Sequence, residues 1–218
     1  MGQSDSSACL PASAAARQRL GLPLVGRLVL YAGRFAPTHP LDLLMDAAPM
    51  IMDRVKLVHF VLIGDGVTRH RLEAVARERS LDAAIIFAGD VPAEQLRDFM
   101  VASDVGLHLS SCFGSQAQTF RPDELAPFLD AGRAVVAASD LPDARMFVQV
   151  NNIGCVSEIT GQRSKDVAAL VLAMSSMLCD DRARVRRAEN AKRLSRNLAS
   201  DTTVLGFLKA GMRRAAAL

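Results

Sequence analysis

Leu28-Val29-Leu30-Tyr31-Ala32-Gly33-Arg34 is a short apolar run that stops at a glycine. Val58-His59-Phe60-Val61-Leu62-Ile63-Gly64-Asp65-Gly66 and Ala84-Ile85-Ile86-Phe87-Ala88-Gly89-Asp90 repeat the pattern. Runs of this kind, bounded by turn residues and separated by helical patterns, read as strands buried on both faces of a parallel sheet. In an open sheet of that type, ligands bind outside the carboxyl ends of the strands. The terminating glycines therefore mark the edge where a ligand is expected. Their lack of a side chain lets backbone N–H groups come close to it.

Working outward, strands are predicted at about 27–32, 56–63, 84–88, 104–109, 134–138 and 154–156. Helical spacing predicts helices between them. A first, capped by Ser13, runs to Leu20. Another covers Pro40 to Ala48, and Pro49 is expected to end or kink it. Arg69 to Arg79 is a third, with Glu73 and Arg77 as an i, i+4 pair on its wet face. Pro92 suits the first turn of a fourth, and Pro122 to Ala131 reads as a helix stopped by Gly132. Asp143 to Val148 is one or two turns, and Val167 to Leu178 is a long amphipathic helix. Two basic helices, at about 181–196 and 200–215, close the chain. Alternating strand and helix points to a doubly wound parallel sheet.

Composition narrows the function classes. The chain has 218 residues, half of them apolar, which is ample for a core. No apolar stretch reaches the roughly 18 residues of a membrane span. Met1-Gly2-Gln3-Ser4-Asp5 lacks a basic segment followed by an apolar one, so no secretory signal and a cytoplasmic location are expected. Cys9, Cys112, Cys155 and Cys179 show no C-x-x-C spacing, which argues against zinc and for reduced thiols. Net charge is +3, concentrated in Arg182, Arg184, Arg186, Arg187, Lys192, Arg193 and Arg196. These read as a solvated helical face, or as a surface for phosphates or a peripheral membrane contact. With no tryptophan and one tyrosine, a nucleic-acid stacking platform is not expected.

The ordered set Leu30–Phe35, Leu62–Gly66, Phe87–Pro92, Ala102–Val105 and Ala131–Ala137 resembles the C-terminal, donor-binding half of the retaining glycosyltransferases of GT-B architecture. The likeness covers about residues 15–212. It implies an α/β fold: a Rossmann-like parallel sheet of about six strands with helices on both faces, one half of a GT-B fold. It also implies a nucleotide-sugar donor (UDP-, GDP- or ADP-sugar), no metal in this domain, and an N-terminal acceptor-binding domain in the same or another chain. Residues 1–24 then form a tail and a short interdomain segment, 25–198 the donor-binding domain, and 199–218 a C-terminal helix.

The resemblance also assigns roles. Arg34 of Gly33-Arg34 would fork onto the donor diphosphate and offset charge on the leaving group; otherwise it is a surface arginine. His39 takes the place of a phosphate-binding lysine, or is a solvated loop histidine. Gly64 and Gly66 line the donor cleft or form a tight turn. Gly89, Asp90 and Val91 correspond to a backbone contact with the base. Phe113 and Gly114 are a partial match to a loop near the donor sugar, and Cys112 has no neighbouring base to make it a nucleophile. Asp104 reads as structural. The family's two glutamates fall on Thr119 and Pro127, Ala134 replaces a proline, and Glu124 takes the slot of a lysine. An anion there opposes phosphate binding by up to about 4 kcal/mol at 4 Å and an effective dielectric near 20. These departures leave an alternative, a degenerate domain acting as a non-catalytic binding or scaffold module.

Overall fold

The apolar runs are strands. The computed structural model describes residues 12–111 and 120–200. In chain order these hold α1 (Ala12–Arg19), β1 (Arg27–Ala32), α2 (Leu41–Arg54), β2 (Val58–Ile63), α3 (Arg69–Glu78), β3 (Ile85–Gly89), α4 (Ala93–Ala102) and β4 (Val105–Ser110). A 3-10 turn (Pro122–Glu124) then leads into α5 (Ala126–Asp130), β5 (Ala134–Ser139), α6 (Pro142–Val150), β6 (Gly154–Glu158), α7 (Arg163–Cys179) and α8 (Asp181–Ser200). The second basic helix predicted at 200–215 lies outside the described residues.

The six strands form one sheet in the order β3-β2-β1-β4-β5-β6, and every pairing is parallel. Successive side chains point to opposite faces, so each strand feeds two cores. Val29, Tyr31, Phe60, Leu62, Val105 and Leu107 pack with α2, α3 and α7 on one face. Leu28, Leu30, Val61, Ile63, Val135 and Ala137 pack with α1, α4, α5 and α8 on the other. Helices on both faces explain why the central strands are mostly apolar instead of alternating. The chain thus has the expected Rossmann-like architecture. Among the described residues no helix is long and apolar enough to cross a membrane.

Three local expectations need correction. Pro49 does not end its helix, which runs on to Arg54. A proline leaves the carbonyl four residues earlier without its helical donor. Here that carbonyl, Met45 O, accepts from Arg79 Nη1 at 3.0 Å. The i, i+4 partner of Glu73 is Arg69, not Arg77: Arg69 Nε to Glu73 Oε1 is 2.7 Å. Helical side chains lean toward the N-terminus, so Glu73 meets the residue one turn before it. Of the late basic residues, Arg184 is buried and pairs with Asp181 at 2.7 Å, and Arg187 is half-buried. The exposed cations of α8 are Arg182, Arg186, Lys192, Arg193 and Arg196.

Asp104 is structural, as its place before β4 suggests. Its Oδ2 accepts from the Leu28 amide at 2.8 Å and from Arg17 Nη2 at 2.7 Å. Arg17 is buried, and its Nε also donates to Ala102 O at 2.9 Å. One carboxylate therefore ties α1 to the start of β1 and β4. Asp104→Asn keeps the shape but removes the charge, and hydrogen bonds to charged groups contribute about 1.5–3 kcal/mol. A loss of about 2 kcal/mol in a urea melt is expected; an unchanged midpoint would contradict it.

Candidate functional site

The strand order reverses direction between β1 and β4, so the loops leaving these two strands diverge to opposite sides and open a crevice. The β1–α2 loop carries Arg34 and His39, two of the residues singled out from sequence. Its path is fixed by backbone bonds: Gly33 N donates to Ile63 O at 3.0 Å, and Phe35 N to Asp65 O at 2.9 Å. Tyr31 OH donates to Arg34 O at 2.9 Å. Across the crevice Ser111 N donates to Thr38 O at 2.9 Å, which joins the loop to the end of β4.

Arg34 is exposed, and its guanidinium pairs with no carboxylate among the described residues. His39 is half-buried beside Thr38, whose Oγ1 lies 3.1 Å from its Nδ1. Burial, and then the Arg34 charge, holds the imidazole below its ordinary pKa. In the resting site His39 is thus biased toward its neutral form, and an arriving anion would reverse that bias.

Three further residues, none of them singled out as a site residue, complete the crevice. His108 on β4 is buried, and its Nε2 lies 3.1 Å from Ser110 Oγ. Ser110 Oγ in turn lies 2.8 Å from Ser139 Oγ at the end of β5. Burial, with a smaller effect from His39, pushes His108 down to about 4. A histidine inside the apolar run of β4 was the one signal available for this network. Glu124 closes the other side: its Oε2 is 3.8 Å from His108 Nε2. Burial first, then neighbouring Asp123, raises the Glu124 pKa, while Arg121 opposes the shift. Burial, then the Glu124 charge, pushes the Tyr31 phenol up. Arg34, His39, His108, Glu124 and Tyr31 therefore share one electrostatic neighbourhood.

Gly64 and Gly66 each face backbone of the β1–α2 loop. A Cβ on Gly64 would stand 2.0 Å from Gly33 O, and one on Gly66 would stand 2.4 Å from Phe35 O. Their amides are also engaged, Gly64 N with Gly89 O at 2.9 Å and Gly66 N with Asp65 Oδ1 at 2.7 Å. Both let the β2–α3 loop press against the β1–α2 loop, as a tight turn does. Gly89 and Val91 lie at the β3 end of the same edge, where Arg69 Nη1 would be 3.4 Å from a Cβ on Gly89. Phe113, Gly114, Cys112 and Thr119 lie outside the described residues. Pro127 sits in the first turn of α5.

Comparison with known proteins agrees with this geometry. Residues 13–114 match the family described as Glycosyl transferases group 1. A putative teichuronic acid biosynthesis glycosyltransferase, TuaC, of Bacillus subtilis is 34% identical over 89 residues, which is 41% of this chain and 20% of the relative. A D-inositol 3-phosphate glycosyltransferase of Acidothermus cellulolyticus is 35% identical over 104 residues, covering 43% of this chain and 23% of the relative. The matched regions are thus less than a quarter of either relative's length.

Among solved structures, Anabaena Alr3699/HepE in complex with UDP and glucose superimposes with a TM-score of 0.71 at 18% identity, over 96% of this chain and 53% of that one. The C-terminal domain of a group 1 glycosyl transferase, LpcC, from Francisella tularensis gives 0.68 at 18% identity, over 85% of this chain and 91% of that one. Topology, matched family and structural neighbours converge: residues 13–114 are similar to the glycosyl transferases group 1 family, and the fold is that of the solved glycosyltransferase structures.

Proposed function

We propose that the chain is the donor-binding half of a retaining GT-B glycosyltransferase. It holds a nucleotide diphosphate sugar, from which a hexosyl group passes to an acceptor on an N-terminal domain in the same or another chain. The observation that carries the reading is Arg34: an exposed guanidinium without a carboxylate partner among the described residues, on the loop that leaves β1 where the strand order reverses, and near enough to His39 to lower its pKa. Its fork suits a diphosphate, and His39 gains a proton, and with it a second positive charge, as phosphate arrives. Together they stabilise the charge that develops on the leaving diphosphate, with no metal required from this domain. Gly33, Gly64 and Gly66 support that loop. Gly89 and Val91 receive the base, and the family resemblance assigns the sugar to Phe113 and Gly114.

UDP-glucose, bound by Anabaena Alr3699/HepE, is one donor to test. Calorimetry across UDP-, GDP- and ADP-sugars should show one base preferred. No heat with any of them at millimolar ligand would overturn donor binding by this chain. The isolated chain is expected not to transfer sugar, because the acceptor side is missing. The reading places the protein in the cytoplasm, with the exposed arginines of α8 available for a peripheral membrane contact.

A second reading rests on Glu124 and Pro127. They stand where the family pattern has a lysine and a glutamate, and Glu124 faces the crevice. On this reading the domain is a non-catalytic binding module. A nucleotide-induced rise in melting temperature would exclude it; its absence, together with binding of a protein partner, would favour it.

A further inference from the structure

Glu124 poses a physical problem. Its side chain is 39% exposed, lies beside His108 on β4, and accepts no hydrogen bond among the described residues. His108, 3.8 Å away, is its nearest basic neighbour. An ionised carboxylate in that position repels the anion that Arg34 attracts. Resting on the donor-binding reading, we propose that Glu124 takes up a proton when the donor diphosphate enters and then donates a hydrogen bond to a phosphate oxygen.

The surroundings favour this outcome. The groups facing Glu124 are Tyr31 from β1, His108 from β4, and Arg121 and Asp123 from its own turn. Beyond His108, His39 bears on His108 and Arg34 on His39. Burial and Asp123 already disfavour the carboxylate, and only Arg121 works the other way. His108, buried, does not hold a compensating charge near neutral pH. A diphosphate adds negative charge to a site that already penalises it, so the proton goes to the group that is both accessible and raised. Protonated, Glu124 changes from acceptor to donor, and the repulsion becomes a hydrogen bond. Asp123, paired with Arg121 at 2.5 Å, stays outside this exchange.

Linkage fixes the sign. A group whose pKa rises on binding takes up protons, so affinity falls as pH rises, by up to about tenfold per pH unit for one proton. The 218-residue chain is titrated with UDP, GDP and ADP in buffers of differing ionisation enthalpy, at several pH values from about 5 to 8. For the diphosphate that binds, the wild type should show net proton uptake. Glu124→Gln, neutral and still a donor, should take up about one proton fewer and bind at least about tenfold tighter near pH 8. The two proteins should converge toward pH 5. His39→Asn separates the histidine's own uptake and should leave the Glu124 contribution in place.

Equal uptake by wild type and E124Q would overturn the proposal. So would weaker binding by E124Q at every pH, which would make Glu124 an acceptor for donor hydroxyls. Failure of all three diphosphates to bind the wild type at any pH would overturn the donor-binding reading as well. Binding without proton uptake would overturn this inference alone.

Discussion

Gly64→Ala is expected to destabilise the protein by about 4 kcal/mol or more, close to the largest effects of single substitutions. The new methyl carbon would stand 2.0 Å from Gly33 O and 3.0 Å from Gly33 C. Both are backbone atoms, so no side-chain rotation relieves the clash. The backbone at Gly64 also has φ +123°, which L side chains rarely adopt. Relief requires the β1–α2 and β2–α3 loops to separate. That would break the bonds from Gly33 N to Ile63 O, Phe35 N to Asp65 O and Thr68 N to Phe35 O. Gly21 isolates the conformational part: it has φ +65° and nothing within 4 Å of its added Cβ. Gly21→Ala should therefore cost only about 1–2 kcal/mol, the left-handed penalty alone. Urea melts of both variants compare the two costs directly. Equal midpoints would show that the loops are not locked together as described.

That comparison also shows what could be read from the chain. Strand positions were legible because strands buried on both faces are mostly apolar and stop abruptly at turn residues. The β1 boundaries coincide with the expected ones, and β2 begins only two residues late, at Val58. Arg34 and His39 were legible because their place depends only on following the first strand. The role of the glycines was half legible: a sequence shows that a Cβ is missing but not what occupies its space. Arg17 and Asp104 meet across 87 positions, and that pairing had no local signal. That the helix runs past Pro49 was not legible, because the group that replaces its missing donor, Arg79, belongs to another part of the chain. The His108–Glu124 contact was hidden for the same reason: it joins a strand to a turn beyond a loop. Propensity and pattern report the frame, whereas the chemistry of the crevice depends on charges brought together by the sheet.

Arg34→Glu should abolish measurable binding of the nucleoside diphosphate without unfolding the domain. Hydrogen bonds from a charged donor to phosphate contribute about 1.5–3 kcal/mol, so neutral Arg34→Met should weaken binding about 10- to 100-fold. Reversal adds repulsion of comparable size to that loss, which takes the expected effect to about 1,000-fold or more. Arg34→Lys keeps the charge but not the planar fork, so it should fall between wild type and Arg34→Met. The guanidinium is exposed and pairs with no carboxylate among the described residues, so its removal leaves no buried group unsatisfied. Melting temperatures should therefore stay within about 2 °C of wild type, as for ordinary surface substitutions. Ionic strength supplies an independent check. Added salt should weaken wild-type binding and affect Arg34→Met less, because screening acts on the charge that has been removed. If Arg34→Glu bound diphosphate as wild type does, the anion would have to sit elsewhere, and the β1–β4 crevice would lose its claim to the donor.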